Sequence, residues 1–432
     1  MADLKAGEPF GMDPAAVATI NWPLALKRIM QDVRTDFIYA PHLYFIYAKA
    51  GDELIAALIS ELKAGTFSPG VPLTIEVPKP FRIRVVAKTR RLGPNFSRPG
   101  SILLPKDRLL YQALADQAAP IISENTDDDR SFSHKLAPTG SPAMFLPTRT
   151  CWSALQKQLA EHSKNKTLKY ILKVDVADFF GSVNQHVLIN VLSDSGYSKS
   201  FYSRLEAMLT AYTGDRSSRG ILQGIYPSDL FGNYYLAPID RFLDEYDVPS
   251  ARYVDDLYVF VKSMDAADRL LRELIPLLRS YDLVLNEAKS VIMPKSALMS
   301  EEPDLEALFS AAVEEISEQV DDDDFDADYG FQSDWEEEEE EEDEKDNLEL
   351  KATMMLFDSI DGYPGNEENI ERFCLPLFSK AGSDYAVKHV VDAFSKRPAM
   401  TQIYASYLAK FLGQKKIADF LLERAKDEAL VD

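Results

Sequence analysis

Cysteine is nearly absent from this chain. Cys151 and Cys374 are the only two in 432 residues, and they lie 223 positions apart. That excludes a disulfide framework and a cysteine-built zinc site. Histidine is almost as scarce: His42, His134, His162, His186 and His389 are scattered without the short spacings of a metal site. No apolar run has the length of roughly 20 residues that a bilayer-spanning helix needs, and no secretory leader is recognisable. Cytoplasmic residence and no membrane partner are the expectations. No internal repeat period is visible. Positive charge is also in deficit, with 47 Lys and Arg against 70 Asp and Glu and a formal net charge of −23. Taken whole, that balance argues against a nucleic-acid binder.

The deficit is local. Residues 301–350 hold 25 acids and one base, Lys345, so the rest of the chain carries a net +1. Within that rest, residues 79–108 carry nine basic residues against one acid, Asp107, with Phe81 and Phe96 interleaved. Cations with aromatics between them suit phosphates and stacked bases. Lys164, Lys166 and Lys169 make a smaller cluster. The acidic tract is low in complexity, with four consecutive Asp at 321–324 and seven consecutive Glu at 336–342. Like-charge repulsion predicts an extended, disordered linker over 301–350. A second reading makes it a decoy for the basic cleft, anchored by Phe325, Tyr329, Phe331 and Trp335.

The most informative stretch is Arg252-Tyr253-Val254-Asp255-Asp256-Leu257-Tyr258-Val259-Phe260-Val261. Two adjacent carboxylates sit between β-prone runs, which predicts a hairpin with acids at its tip. Carboxylates among apolar strands are costly unless water, a cation or a partner meets them. Oxygen ligands of this kind suit Mg²⁺. Alone, the stretch reads equally as an ordinary hairpin with a solvated turn. An apolar run, Tyr170-Ile171-Leu172-Lys173-Val174, leads into Asp175, which precedes Asp255 by 80 positions. Asp175 at a strand end is a natural further ligand, and alone it is equally a helix N-cap. Between them lies Gly220-Ile221-Leu222-Gln223-Gly224-Ile225-Tyr226-Pro227-Ser228-Asp229, a flexible loop running into a helix predicted from about Leu230 that Pro238 kinks or ends.

Together these residues resemble the reverse transcriptase palm. The order is Asp175 with Phe179 and Phe180, then Leu222-Gln223-Gly224 with Ser228 and Asn233, then Tyr253-Val254-Asp255-Asp256, then Leu283-Val284-Leu285-Asn286-Glu287-Ala288-Lys289-Ser290. The resemblance covers roughly residues 70–300. It implies an α+β right-hand polymerase of fingers, palm and thumb, with a ferredoxin-like antiparallel palm sheet and an all-helical C-terminal region. The expected division is an N-terminal helical region over 1–70, fingers over 71–170, palm over 171–300, the acidic linker over 301–350 and a helical thumb or α-repeat-like domain over 351–432.

The resemblance also implies roles. Asp175, Asp255 and Asp256, with the Val176 carbonyl, hold two Mg²⁺ ions (Mn²⁺ being the alternative). Phe180 is the sugar gate against a 2′-hydroxyl. Gln223 packs near the templating pair. Arg98 clamps the triphosphate, with Lys88 or Arg91 as a second cation. Lys289 serves as proton donor to the leaving pyrophosphate. The implied activity is RNA-directed DNA polymerisation, with an RNA template, deoxynucleoside triphosphates as substrates and cDNA as product.

Details point to the bacterial branch of group II intron and retron relatives, and within it to defence-associated and abortive-infection enzymes. The segment Arg98-Pro99-Gly100-Ser101-Ile102-Leu103-Leu104-Pro105-Lys106-Asp107-Arg108 is similar to theirs. Asp229 follows Ser228 where intron enzymes usually carry Pro, and Gly181 follows Phe180 where they usually carry Asp. Those departures argue against an intron maturase, and the resemblance to the defence-associated branch implies antiphage defence on a dedicated non-coding RNA. Template-independent or protein-primed synthesis and a non-catalytic RNA-binding scaffold stay open. The oligomeric state is not legible.

Overall fold

The computed structural model describes residues 9–35, 38, 40–78, 97–194, 196, 199–213, 218–287, 289–300, 343–360, 367–397 and 400–426. They divide into two compact units. One takes in the described residues up to Ile75 and those from Gly100 to Met299; the other holds the C-terminal helices.

The first unit opens on three helices, α1 (Pro14–Thr19), α2 (Trp22–Thr35) and α3 (Pro41–Ala64). In chain order β1 (Leu73–Pro78) then precedes the basic stretch and β2 (Ser97–Ile102) falls within it, both straddling the boundary between the units, and α4 (Pro105–Glu124) follows in the first unit. Helix α4 is buried from Asp107 through Ala115. Burying its charged first turn demands partners. Arg108 meets Asp32 of α2 at 2.9 Å with both side chains almost fully buried. Asp32 Oδ2 also accepts the Tyr226 N–H at 3.1 Å. A largely buried pair, Arg28 with Asp116 at 2.7 Å, repeats the α2–α4 bond.

Then follow α5 (Thr148–Lys164), β3 (Tyr170–Val174), α6 (Phe179–Ser182), α7 (Gln185–Ser193), α8 (Lys199–Tyr212), α9 (Tyr226–Tyr235), α10 (Ala237–Glu245), β4 (Ser250–Tyr253), β5 (Asp256–Val261), α11 (Met264–Ser280) and β6 (Val291–Pro294). Strands β3 to β6 form one sheet in the order β4-β5-β3-β6, antiparallel at every pairing. The central strands are apolar at nearly every position because helices cover the sheet. Ile171, Ala251, Tyr258, Phe260 and Met293 pack with Leu155 and Leu159 of α5. Helix α11 lies along β5, with Ala267, Leu270, Leu274 and Leu278 as its buried stripe.

The second unit holds α12 (Asp343–Asp358), α13 (Glu367–Lys380), α14 (Val387–Ala393), α15 (Thr401–Ala409) and α16 (Lys415–Arg424). Its core includes Leu356, Ile370, Phe378, Val390, Phe394, Tyr404 and Leu408. Glu371, wholly buried, accepts from Tyr404 Oη at 2.7 Å and from Arg397, and pairs with His389 at 2.5 Å.

Two boundaries differ from the sequence reading. Helix α9 starts at Tyr226, not near Leu230, because Pro227 at its start is pre-set for a first helical turn. Helix α12 starts at Asp343, inside the stretch expected to be disordered. The remainder of the acidic tract, residues 301–342, lies outside the described residues.

Candidate active site

The apolar strand β3 carries the chain to Asp175, which is 5% exposed. Register does the rest. Val174 pairs with Leu257, so the next step of the antiparallel ladder sets Asp175 level with Asp256. In β4 and β5 Tyr253 pairs with Asp256, leaving Val254 and Asp255 as the turn. The sheet thus collects Asp175, Asp255 and Asp256 at one rim, as the sequence predicts. Burial pushes the Asp255 carboxyl up to about 6, and the charges of Asp256 and Asp175 add to the rise while Lys289 opposes it.

The segment after α11 closes over Asp175. Asn286 N–H donates to the Asp175 carbonyl at 2.8 Å, and Ala177 N–H donates to the Val284 carbonyl at 2.8 Å. Val176 faces Leu285 in the bridge those two bonds define, so the bridge leaves the carbonyl of Val176 unused. Asn286 Nδ2 donates to Asp175 Oδ2 at 2.7 Å, and Lys289 Nζ donates to Oδ1 at 2.9 Å.

The hairpin tip is strained. Val254 has φ +52°, a left-handed conformation that suits a β-branched residue poorly. Ser133 Oγ accepts its N–H at 2.9 Å, and Arg252 Nη1 donates to its carbonyl at 2.8 Å. Arg252 is 2% exposed. Its Nε and Nη2 donate to Asp240 Oδ1 and Oδ2 at 3.0 and 2.5 Å, and Nη1 donates to Asn233 Oδ1 at 2.8 Å. Ser131 and Ser133 hydroxyls reach the same Asn233 oxygen at 3.1 Å each. One buried network therefore joins the β4–β5 hairpin, helices α9 and α10, and the 130–133 segment, which bridges β4 in parallel at Ser131 and Arg252. His134 follows in that segment, and burial, then the charge of Arg252, hold its imidazole down to about 4.

Phe180, half-buried on α6, meets the Gln223 loop from the other side. Ile221 N–H donates to the Phe180 carbonyl at 3.0 Å, and Phe179 and Phe180 rings meet edge-on at 5.2 Å. Gly232 of α9 lies beneath them: a Cβ there would come within 3.1 Å of Phe180 Cε1, so any larger residue would press the ring aside by a few tenths of an ångström. Gln223 and Gly224 form a turn before α9. Ser228 is buried, its Oγ 3.1 Å from Tyr111 Oη, so it supports the loop from behind.

Asp175, Val176, Asp255, Asp256 and Lys289 thus share one rim, while Phe180 and the Gln223 turn are tied to each other. Arg98 falls on β2, where only its backbone is described; Lys88 and Arg91 lie outside the described residues. Ser131, Ser133, Asp240, Asn286 and His134 went unrecognised as site residues in the sequence. The Ser-x-Ser spacing, which puts both hydroxyls on one side of an extended segment, was the available signal.

An all-oxygen set of partly buried, mutually repelling carboxylates fits a hard divalent cation. Among the described residues no three acidic, histidine or cysteine side chains are gathered closely enough to hold an ion as they stand. Asp175 is occupied instead by Asn286 and Lys289. No described helix is long and apolar enough to cross a membrane.

Residues 93–303, just under half of the chain, match the family model described as reverse transcriptase (RNA-dependent DNA polymerase). No curated protein matches. Among solved structures, the apo telomerase from Candida tropicalis truncated of its C-terminal domain is similar at 15% identity and TM-score 0.34, over 46% of this chain and 48% of that one. The apo telomerase from Candida tropicalis is similar at 11% identity and TM-score 0.36, over 88% and 73%. The telomerase from Candida albicans with the TWJ fragment of telomeric RNA is similar at 10% identity and TM-score 0.36, over 81% and 64%. The chain spans about half the length of the first of these.

Proposed function

We propose, from the match of residues 93–303 to the reverse transcriptase family model, that the chain is an RNA-directed DNA polymerase and joins deoxynucleotides by two-metal nucleotidyl transfer. The observation that carries the reading is the sheet rim: the β3–β5 register sets Asp175 level with Asp256, beside Asp255 at the turn. Asp175, Asp255 and Asp256, with the Val176 carbonyl, are the groups that would hold two divalent cations, Mg²⁺ or Mn²⁺. Such a pair, when bound, lowers the pKa of the attacking hydroxyl and neutralises charge on the leaving pyrophosphate.

The chain's own residues supply position and selection. Arg252, Asn233 and Ser133 hold the hairpin so that Asp255 stays at its tip. Phe180, backed by Gly232, excludes a 2′-hydroxyl. Gln223 sits near the templating pair. Arg98, with Lys88 or Arg91, clamps the triphosphate. Lys289 gives a proton to the leaving group. The wider organisation proposed is a right hand with a ferredoxin-like palm, fingers over 71–170, palm over 171–300 and a helical thumb or α-repeat-like domain beyond the acidic linker. Gly181 and Asp229 argue against an intron maturase, and the likeness of the 98–114 segment to defence-associated enzymes supports a role in antiphage defence on a dedicated non-coding RNA.

The test is primer extension on an RNA template with Mg²⁺ and with Mn²⁺, for the wild type and for Asp255→Asn with Asp256→Asn. Synthesis by the wild type that the double variant lacks supports the reading. Synthesis by both overturns the site, and none by either favours the RNA-binding scaffold. Omitting template separates templated from untemplated synthesis. Sequencing nucleic acid that co-purifies from the native host identifies the template.

A further inference from the structure

Both carboxylate oxygens of Asp175 are engaged, by two side chains of different character. Asn286 Nδ2 donates to Oδ2 and Lys289 Nζ donates to Oδ1. We infer that Asn286 is a fixed positioning residue for Asp175, whereas the Lys289 ammonium is a stand-in charge that a divalent cation displaces. The inference deepens the proposed function and rests on reading Asp175, Asp255 and Asp256 as the cation-holding acids.

Three features separate the two partners. The first is charge. An amide is neutral and can stay on one carboxylate oxygen while the other binds an ion. An ammonium 2.9 Å from Oδ1 lies within a few ångströms of any ion on that oxygen, where like charges repel strongly at the low effective dielectric of a partly buried site.

The second is anchorage. Asn286 is held by its own backbone: its N–H donates to the Asp175 carbonyl at 2.8 Å, and its carbonyl accepts from Lys289 and Ser290 N–H at 3.1 and 2.8 Å. Lys289 reaches Asp175 only through its flexible side chain. The third is access. The Lys289 side chain is 49% exposed and that of Asp175 is 6% exposed. The ammonium can swing into water; the carboxylate cannot follow.

The exchange makes electrostatic sense. Three carboxylates crowd the rim, and Lys289 is the cation whose charge opposes the rise at Asp255. Without an ion, the ammonium keeps the rim from repelling itself apart. With an ion, the ammonium is released beside the triphosphate, the place the proposed reaction needs it. Asp175 turned onto its two partners also accounts for the rim not yet forming a closed ligand cage.

The test is Mn²⁺ binding to the full chain without nucleotide, followed by electron paramagnetic resonance. Wild type is compared with Lys289→Met, Lys289→Arg, Asn286→Ala, and Asp255→Asn with Asp256→Asn. Lys289→Met should bind Mn²⁺ more tightly by up to about fivefold, the worth of a partly exposed ion pair no longer to be broken. Lys289→Arg should stay near wild type, and Asn286→Ala should bind more weakly because Asp175 is freed to turn. Thermal melts in chelator should show Lys289→Met destabilised and Mn²⁺ restoring it. If Lys289→Met does not fold without metal, Lys289→Gln makes the same comparison. Unchanged or weaker Mn²⁺ binding in the neutral Lys289 variant overturns the stand-in role alone. No Mn²⁺ binding by the wild type, or binding undiminished in the double Asn variant, overturns the underlying site as well.

Discussion

Ser133→Ala is the sharpest probe of how the hairpin is held. Val254 sits at φ +52°, a left-handed conformation costing an L-residue about 1–2 kcal/mol. Ser133 Oγ accepts the Val254 N–H at 2.9 Å. A buried donor left without its partner costs about 1–3 kcal/mol. The bond and the strain are therefore of one size, and removing the hydroxyl lets strained and relaxed turns become comparably populated. Asn233 keeps its bonds from Ser131 and Arg252, so the rest of the network stands. A reacting group misplaced by about 1 Å can lose roughly 10²-fold in rate. Steady-state primer extension should therefore give kcat down by about two- to fivefold, set by the fraction of molecules left in the productive turn, with KM for the deoxynucleotide little changed. Val254→Gly removes the strain and should restore most of that rate in the Ser133→Ala background. Wild-type kcat in Ser133→Ala, or no recovery in the double variant, would refute the reasoning.

Asp255→Asn with Asp256→Asn should abolish synthesis yet leave the melting temperature at pH 8 unchanged or higher, since burial already disfavours the Asp255 charge; circular dichroism melts check it. Phe180→Ala should raise ribonucleotide over deoxynucleotide incorporation by about tenfold or more; an unchanged ratio in competition assays leaves Phe180 a packing residue. Asp240→Ala strands the buried Arg252 guanidinium and should cost about 3–5 kcal/mol, read by urea denaturation. Burial pushes Asp107 up to about 7, against the Gly70 N–H that lowers it. Its folded form holds the proton more tightly than the unfolded chain, so its contribution is full below pH 3.8 and lost as pH rises through about 7. Asp107→Asn should therefore raise the melting temperature at pH 8 and change it little at pH 4.

Much of the site was legible because it depends on local chemistry. An apolar run into an acid, and twin acids between β-prone runs, announce a strand end and a hairpin tip whatever surrounds them. The supporting groups were not legible. Ser133 and Val254 are 121 positions apart, and Asn286 and Asp175 are 111. No local pattern marks a serine as the partner of a distant amide.

The sequence by itself determined which residues carry charge and which segments are strands or helices, because periodicity, caps and β-propensity act within a few residues. It also confined the acidic excess to one tract. Only the tertiary structure decided which partner each acid takes. Arg252 reads as one more cation beside Asp255, yet the fold buries it on Asp240. Lys289 reads as a proton donor to the leaving group, yet nothing local says that the segment after α11 delivers it to Asp175. Pairing across more than 100 positions depends on chain closure and on the energy of desolvating each charge, and both exist only once the sheet is packed.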